Sequence, residues 1–315
     1  MGTLIKDKFK AWEKEAQDRF DQLKSNEEEL NKIFIELYGL QDELDYKVPD
    51  KEVSVSLANE ERDIKSLMSY AVGCMFGRYS LDVEGLVYAG GEWDSSKYST
   101  FIPVKTNVLV ISDDLYINDS SFDLVNKFED FISVVYGSDA LEENLDYITL
   151  GGKLKGTGTS RDKIRKYFLN DFFKDHVKTY KKRPIYWQFD SGKKNGFKAL
   201  MYLHRYTKDQ LGIVRTDYLH EIQKSYESRV SLRTQLIENS DNQKDKNAMN
   251  KEINKINDQL KEIQTFDEKL GYLALKRIEL DLDDGVVVNY DKLQRDPDTG
   301  EKFAILSKGP QEPKK

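Results

Sequence analysis

Between Met249 and Leu270 the apolar residues Met249, Ile253, Ile256, Leu260, Ile263, Phe266 and Leu270 follow one another at steps of four and three. That spacing keeps an apolar seam along one side of an α-helix and calls for a partner along its length. The partner precedes it in the chain. Val214, Leu219, Ile222, Tyr226 and Val230 mark a first helix, and Asn239-Ser240-Asp241-Asn242 turns the chain back. Residues 207–278 are therefore expected to form an antiparallel, coiled-coil-like helical hairpin: a spacer, a brace or a dock for another helix.

A second long helix is expected at residues 4–39. Phe9, Trp12, Ala16, Phe20, Leu23, Leu30, Phe34 and Leu37 recur there at helical spacing, and Gly39 ends the run. Charges between them, with Glu27 on the seam, describe a half-exposed helix that docks on a neighbour. After Pro49 the alternation Val53-Ser54-Val55-Ser56-Leu57 predicts a short strand. Ile64, Leu67, Met68, Ala71, Val72, Met75 and Phe76 then predict a core-facing helix stopped by Gly77. Residues 1–80 read as a helical connector and docking region.

From residue 81 to 206 the texture becomes α+β. Strands are expected at Leu86-Val87-Tyr88 and Val108-Leu109-Val110-Ile111, with a polar loop at residues 90–97 centred on Trp93. Ser120 and Asp123 suggest a capping box for a helix with Phe122, Val125, Phe128, Ile132 and Val135 on its inner face. A short helix with Leu141, Leu145 and Ile148 leads into a glycine-rich loop, residues 151–159. Ser160 is expected to cap one continuous helix. On it Lys163, Lys166, Asn170, Lys174, Lys178 and Lys181 share one arc, opposite Ile164, Phe168, Leu169 and Phe172. Asp162, Asp171 and Asp175 fall outside that arc, so the lysine face carries one sign where an ordinary solvated face mixes both.

Pro184 bars helix before it. Ile185, Trp187 and Phe189, then Phe197, Ala199, Met201 and Leu203, frame a β-hairpin with Lys193, Lys194 and Asn195 at its tip. Past the helical hairpin, Asp283-Asp284-Gly285 and Val286 to Tyr290 read as a turn and a strand. Residues 279–315 are thus expected to form a C-terminal β segment and tail.

The net charge of −7 argues against a polyanion partner only if it is evenly spread. It is not: residues 151–205 hold 15 Lys/Arg against 4 Asp/Glu, and residues 106–150 hold 1 against 10. Because fields act within about 8 Å at physiological salt, the local excess decides. The expected phosphate contacts are Lys153, Lys155, Arg161, Lys163, Lys166, Asn170, Lys174, Lys178, Lys181, Lys182, Arg183, Lys193, Lys194, Asn195 and Lys198. Expected base-reading candidates sit in the two polar loops: Trp93, Asp94, Ser95 and Lys97, and Thr157 and Thr159. The Lys193–Lys198 contacts belong to a hairpin that holds DNA without reading it.

Other chemistry lacks its residues. Cys74 is the sole cysteine, which excludes a disulfide framework and a cysteine-based zinc site. His176, His204 and His220 have no ligand spacing among them, and Asp281 to Gly285 lacks the EF-hand pattern. There is no P-loop and no Gly-x-Ser-x-Gly elbow. No catalytic, cofactor or metal residue is therefore assigned. With no secretory leader and no apolar run near the ~20 residues that span a bilayer, a cytoplasmic protein without a membrane partner is expected.

Several stretches resemble one family. They are Asn31-Lys32-Ile33-Phe34-Ile35-Glu36-Leu37-Tyr38-Gly39-Leu40-Gln41-Asp42-Glu43-Leu44, Glu61-Arg62-Asp63 through Gly77-Arg78-Tyr79-Ser80-Leu81-Asp82, Tyr186-Trp187 through Tyr202-Leu203-His204-Arg205-Tyr206, Val214-Arg215-Thr216-Asp217-Tyr218-Leu219 and Ile278-Glu279-Leu280-Asp281-Leu282-Asp283-Asp284-Gly285-Val286. In that order they are similar to the C-terminal, target-recognition part of the PglX family, adenine-specific DNA methyltransferases of bacterial BREX phage-defence systems. The resemblance implies a parent enzyme that moves a methyl group from S-adenosylmethionine to adenine N6. It also implies three partners: double-stranded DNA, an N-terminal methyltransferase domain and other BREX proteins. Such catalysis needs an Asn/Asp-Pro-Pro-Tyr/Phe motif against the flipped adenine. The six prolines here are never adjacent, so the chain alone is expected to be inactive. The implied fold is an α+β target-recognition domain flanked by long helices. A helical docking module that binds protein partners without reading DNA is the rival reading.

Overall fold

A computed structural model describes residues 2–113 and 122–309. Ten α-helices and three strands are defined among these residues, besides short 3-10 and π-helical turns. In chain order they are α1 (Ile5–Tyr38), α2 (Glu60–Met75), β1 (Leu109–Val110), α3 (Leu124–Tyr136), α4 (Leu141–Gly151), α5 (Ser160–Asn170), α6 (Phe172–Thr179), β2 (Tyr186–Asp190), β3 (Lys198–Tyr202), α7 (Gln210–Ile213), α8 (His220–Glu238), α9 (Gln243–Leu275) and α10 (Gly285–Lys292). The fold is α+β with long helices, as its periodicities predict.

The chain divides into two compact units, one of residues 1–68 with 135–154 and one of residues 69–134 with 155–315. The first unit is helical. The N-terminal half of α1 lies against α4: Ile5, Ala16 and Phe20 are buried, and the Ile5 amide donates to the buried Asn144 side chain at 2.8 Å. Gly39 closes α1 at φ 68°, a left-handed turn for which glycine is the natural residue. The Val53–Leu57 strand is not formed. A single 3-10 turn, Asp50–Glu52, precedes irregular chain, because alternation makes a strand only where a sheet edge can receive it and this unit has none among its described residues.

The second unit is built on a three-stranded antiparallel sheet in the order β1-β3-β2. Tyr186 pairs with Tyr202 and Phe189 with Ala199, while Leu109 pairs with Leu200 across the other edge of β3. Both faces of the hairpin are buried: Trp187, Phe189, Ala199 and Met201 are inaccessible, and so are Leu200 and Tyr202. One face joins a core with Ile222 and Tyr226 of α8 and Ile256, Ile263, Phe266 and Leu270 of α9. The helical hairpin is therefore both a rod and the backing of the sheet. A π-helical stretch, Val214–Leu219, joins α7 to α8.

Other expectations are corrected here. Leu86-Val87-Tyr88 is not a strand, although the Val87 amide donates to the Arg78 carbonyl at 2.9 Å. The expected strand at 286–290 is helix α10, entered through a turn in which the Asp281 carboxylate accepts from the Asp283 amide. The β contact of the C-terminal segment comes instead from residues 305–307: the Asp190 amide donates to the Ile305 carbonyl and the Ser307 amide to the Gln188 carbonyl. Asp123 caps α3, accepting from the Val125 and Asn126 amides, while Ser120 lies outside the described residues. Phe131, not Val135, completes the inner face of α3. The helix expected after residue 160 is broken at Asp171 into α5 and α6.

Candidate nucleic-acid interface

The basic surface is carried by α5, α6 and the turn that follows. Ile164, Phe168, Leu169, Phe172 and Phe173 are buried, so both helices pack by one face and present the other. A buried ion pair fixes α5: the Arg165 guanidinium grips Asp123 with two bonds of 2.7 and 2.9 Å, with side chains only 11% and 0% exposed. The same carboxylate caps α3, so one group orients two helices. The N-cap of α5 is Thr159 rather than Ser160. Its hydroxyl and Asp162 form a capping box, and the Thr159 amide donates to the Asp162 carboxylate at 2.7 Å. Gly158, at φ 94°, has no room for a Cβ, which would stand 2.4 Å from the same carboxylate.

The outer face carries the expected cations. Lys155, Lys166, Lys178, Lys181, Lys182 and Arg183 are exposed and Lys163 is half-buried. Among the described residues none of these seven pairs with a carboxylate within 4.0 Å. Lys174 pairs weakly with Asp171 at 3.4 Å. Asn170 donates to the Lys166 carbonyl at 3.2 Å. After α6 the chain reverses through Lys181 at φ 50° and Lys182 at φ 65°. The Lys182 amide donates to the Val177 carbonyl at 2.8 Å and the Lys181 amide to the Lys178 carbonyl at 3.1 Å, a Schellman-type cap with lysine where glycine is usual.

Other expected contacts are engaged inside the fold. Arg161 meets Glu129 at 2.9 Å. Lys153, which belongs to the first unit, meets Glu61 at 3.3 Å. The Lys198 side chain is 11% exposed and its ammonium donates to the Leu169 carbonyl at 3.2 Å. The β-hairpin tip is docked on α9. The Glu262 carboxylate accepts from the Ser191 hydroxyl and from the Lys194 and Gly196 amides at 2.8 to 3.0 Å. Gln259 donates to the Lys194 and Asn195 carbonyls, and the Lys194 ammonium meets Asp258 at 2.7 Å. Asn195 is half-buried at φ 55°. Among the described residues, Lys193 alone of this tip reaches solvent without such a partner.

The loop candidates divide in the same way. Trp93 stacks on Tyr98 at 4.9 Å, meets Tyr88 edge-on at 5.0 Å and lies under the Arg205 guanidinium at 4.2 Å. Arg205 in turn donates to the Phe76, Val104 and Lys105 carbonyls. Trp93 is thus a packing centre of its loop. Asp94 folds back on Ser96, while Ser95, Lys97 and Thr157 remain exposed.

One cation escaped the sequence reading. Arg78 is half-buried, with no carboxylate partner among the described residues; it donates to the Tyr202 hydroxyl at 3.0 Å and the Tyr79 hydroxyl at 3.3 Å. Burial works against its charge, yet the two tyrosines and their neighbours outweigh it and raise its pKa. The signal was present in Gly77-Arg78-Tyr79-Ser80, a charged residue directly after a helix stop.

Comparison with known proteins bears on what this surface serves. No family model matches the chain. The adenine-specific methyltransferase PglX of Lacticaseibacillus casei (strain Zhang) is 51% identical over 289 residues, which is 91% of this chain and 24% of that protein. The chain is thus similar to one stretch of a PglX-type adenine-specific methyltransferase. BrxX of Escherichia coli O9:H4 (strain HS), also an adenine-specific methyltransferase, is 35% identical over 305 residues, 88% of this chain and 25% of that protein. The chain spans about a quarter of the length of these relatives. Among the described residues none forms a loop that fits S-adenosylmethionine, which methyltransferases use. The glycine-rich loop after α4 follows a helix rather than a strand, and no two prolines adjoin. No described helix is long and apolar enough to cross a membrane.

Proposed function

We propose that the chain is the DNA target-recognition and assembly portion of an S-adenosylmethionine-dependent adenine N6 DNA methyltransferase of a BREX phage-defence system, with catalysis supplied by a methyltransferase domain outside it. The observation that carries the reading is the α5–α6 surface, where seven cations stand without carboxylate partners among the described residues of an otherwise acidic chain. A face so charged is repelled from itself and attracted to a phosphate backbone. On this reading residues 81–206 lie against the duplex. Lys155, Lys163, Lys166, Lys178, Lys181, Lys182 and Arg183 hold phosphates, with Lys174 beside them, and Ser95, Lys97 and Thr157 are the side chains free to meet base edges.

The test is retention of duplex DNA as a function of salt. Retention at low ionic strength that falls steeply with salt is the expected result. Replacing Lys163, Lys166, Lys174 and Lys178 with Glu should weaken it equally on unrelated sequences. Duplex retention unchanged by these four substitutions would return the stripe to a solvated face. Tight binding of protein partners with no DNA retention at low salt would favour the docking-module reading.

A further inference from the structure

The C-terminal half of α1 carries Leu30, Ile33, Phe34, Leu37 and Tyr38, positions i, i+3, i+4, i+7 and i+8 of one helical stripe. Each is between 52% and 70% exposed. This is the pattern of a helix face made for burial, and Phe34 and Tyr38 already stack on each other with centroids 6.5 Å apart. The chain after α1 does not cover it. That segment returns along another side of the helix, tied by Asp50 to Lys24, by the Val48 amide to Glu28 and by the Tyr46 carbonyl to Asn31.

The charge around the stripe selects its occupant. Residues 27–46 hold seven carboxylates (Glu27, Glu28, Glu29, Glu36, Asp42, Glu43, Asp45) against the single Lys32. Nucleic acid is repelled by such a rim. A second copy docked stripe to stripe about a two-fold axis would bring the same carboxylates together twice. What fits is a partner with an apolar groove edged by Lys and Arg. Three quarters of the length of the relatives lies outside the stretch this chain matches. We infer that this stripe of α1 is a docking ridge for the methyltransferase portion of the parent enzyme, received in an apolar, basic-rimmed groove. The inference rests on the reading of the chain as one portion of such an enzyme.

The test is hydroxyl-radical footprinting of Phe34, Leu37 and Tyr38 in this chain alone and in Lacticaseibacillus casei PglX whose matching quarter has been replaced by it. Labelling should be several-fold slower in the full-length chimera, and Phe34→Asp with Leu37→Asp should restore labelling of Tyr38. Should the chimera not accumulate, the footprint is read at the aligned positions of the unmodified PglX, in the intact protein and in its unfolded chain. Equal labelling in both overturns the inference. So does protection of the stripe in this chain alone, either by dimerisation on raising concentration or on adding duplex DNA. Salt-dependent DNA retention, measured on the same chain, separates the readings: retention without stripe protection sinks the ridge and leaves recognition standing, and the reverse result does the opposite.

Discussion

Lys181 and Lys182 both sit in the left-handed region, where a side chain costs roughly 1–2 kcal/mol relative to glycine. Two such residues in succession, both cationic and exposed, mark a turn that carries charge at the expense of stability. Lys181→Gly with Lys182→Gly should raise the melting temperature by several degrees while lowering duplex retention at low salt. Gln at both positions should lower retention without the thermal gain, which separates strain from charge. His176 supplies a second residue-level test. Its Nε2 accepts from the Ile185 and Tyr186 amides at 3.1 and 3.0 Å, and burial, with the nearby Arg78 charge, lowers its pKa to about 3. The unfolded chain protonates this residue near pH 6.5 and the folded chain does not, so stability falls as pH drops below that value, by at most about 1.4 kcal/mol per unit. His176→Gln keeps an acceptor. It should be less stable at pH 7.5 and show a flatter fall in melting temperature down to pH 5.

At the scale of elements, periodicity located the long helices because each carries an apolar seam, buried along α8 and α9 and along the N-terminal half of α1. The seam residues Ile256, Ile263, Phe266 and Leu270 are all inaccessible, and Phe266→Ala should cost about 3–5 kcal/mol in urea denaturation. Short elements were less legible. Val286-Val287-Val288 has the composition of a strand, yet the β2 edge is taken by residues 305–307. Asn289 turns back to the Gly285 carbonyl and Tyr290 packs on Trp187 at 5.0 Å, and the run winds as a helix. Tertiary context overrode local preference there, as it did at Val53–Leu57. In the candidate interface the lysine stripe was readable because it needs only helical geometry. That Lys194, Lys198 and Trp93 would be engaged internally was not, because Asp258, Leu169 and Arg205 lie between 29 and 112 positions away; the sequence carries no sign of which distant group each will meet.

For the molecule as a whole, the units are not consecutive lengths of chain. Residues 135–154 complete the first unit, and the sheet of the second is backed by α8 and α9. A polypeptide of residues 81–206 would keep α4 without α1 and the sheet without its backing. Leu145, Ile148, Trp187 and Phe189 would then lose their cover. It is expected to be recovered as an aggregate, or as a species that binds hydrophobic dyes, whereas the whole chain melts cooperatively.

The loop before α5 has a consequence for how such proteins diversify. Its downstream end is locked by the Thr159–Asp162 capping box and its upstream end by the last turn of α4, where the Leu154 amide donates to the Thr149 carbonyl at 3.0 Å. Residues 155–158 between these anchors are exposed and carry no buried side chain. Gly158 apart, where a side chain would strike the Asp162 carboxylate, their composition can drift without disturbing either helix, so a lineage can exchange this cassette, and whatever it touches, while inheriting the scaffold unchanged.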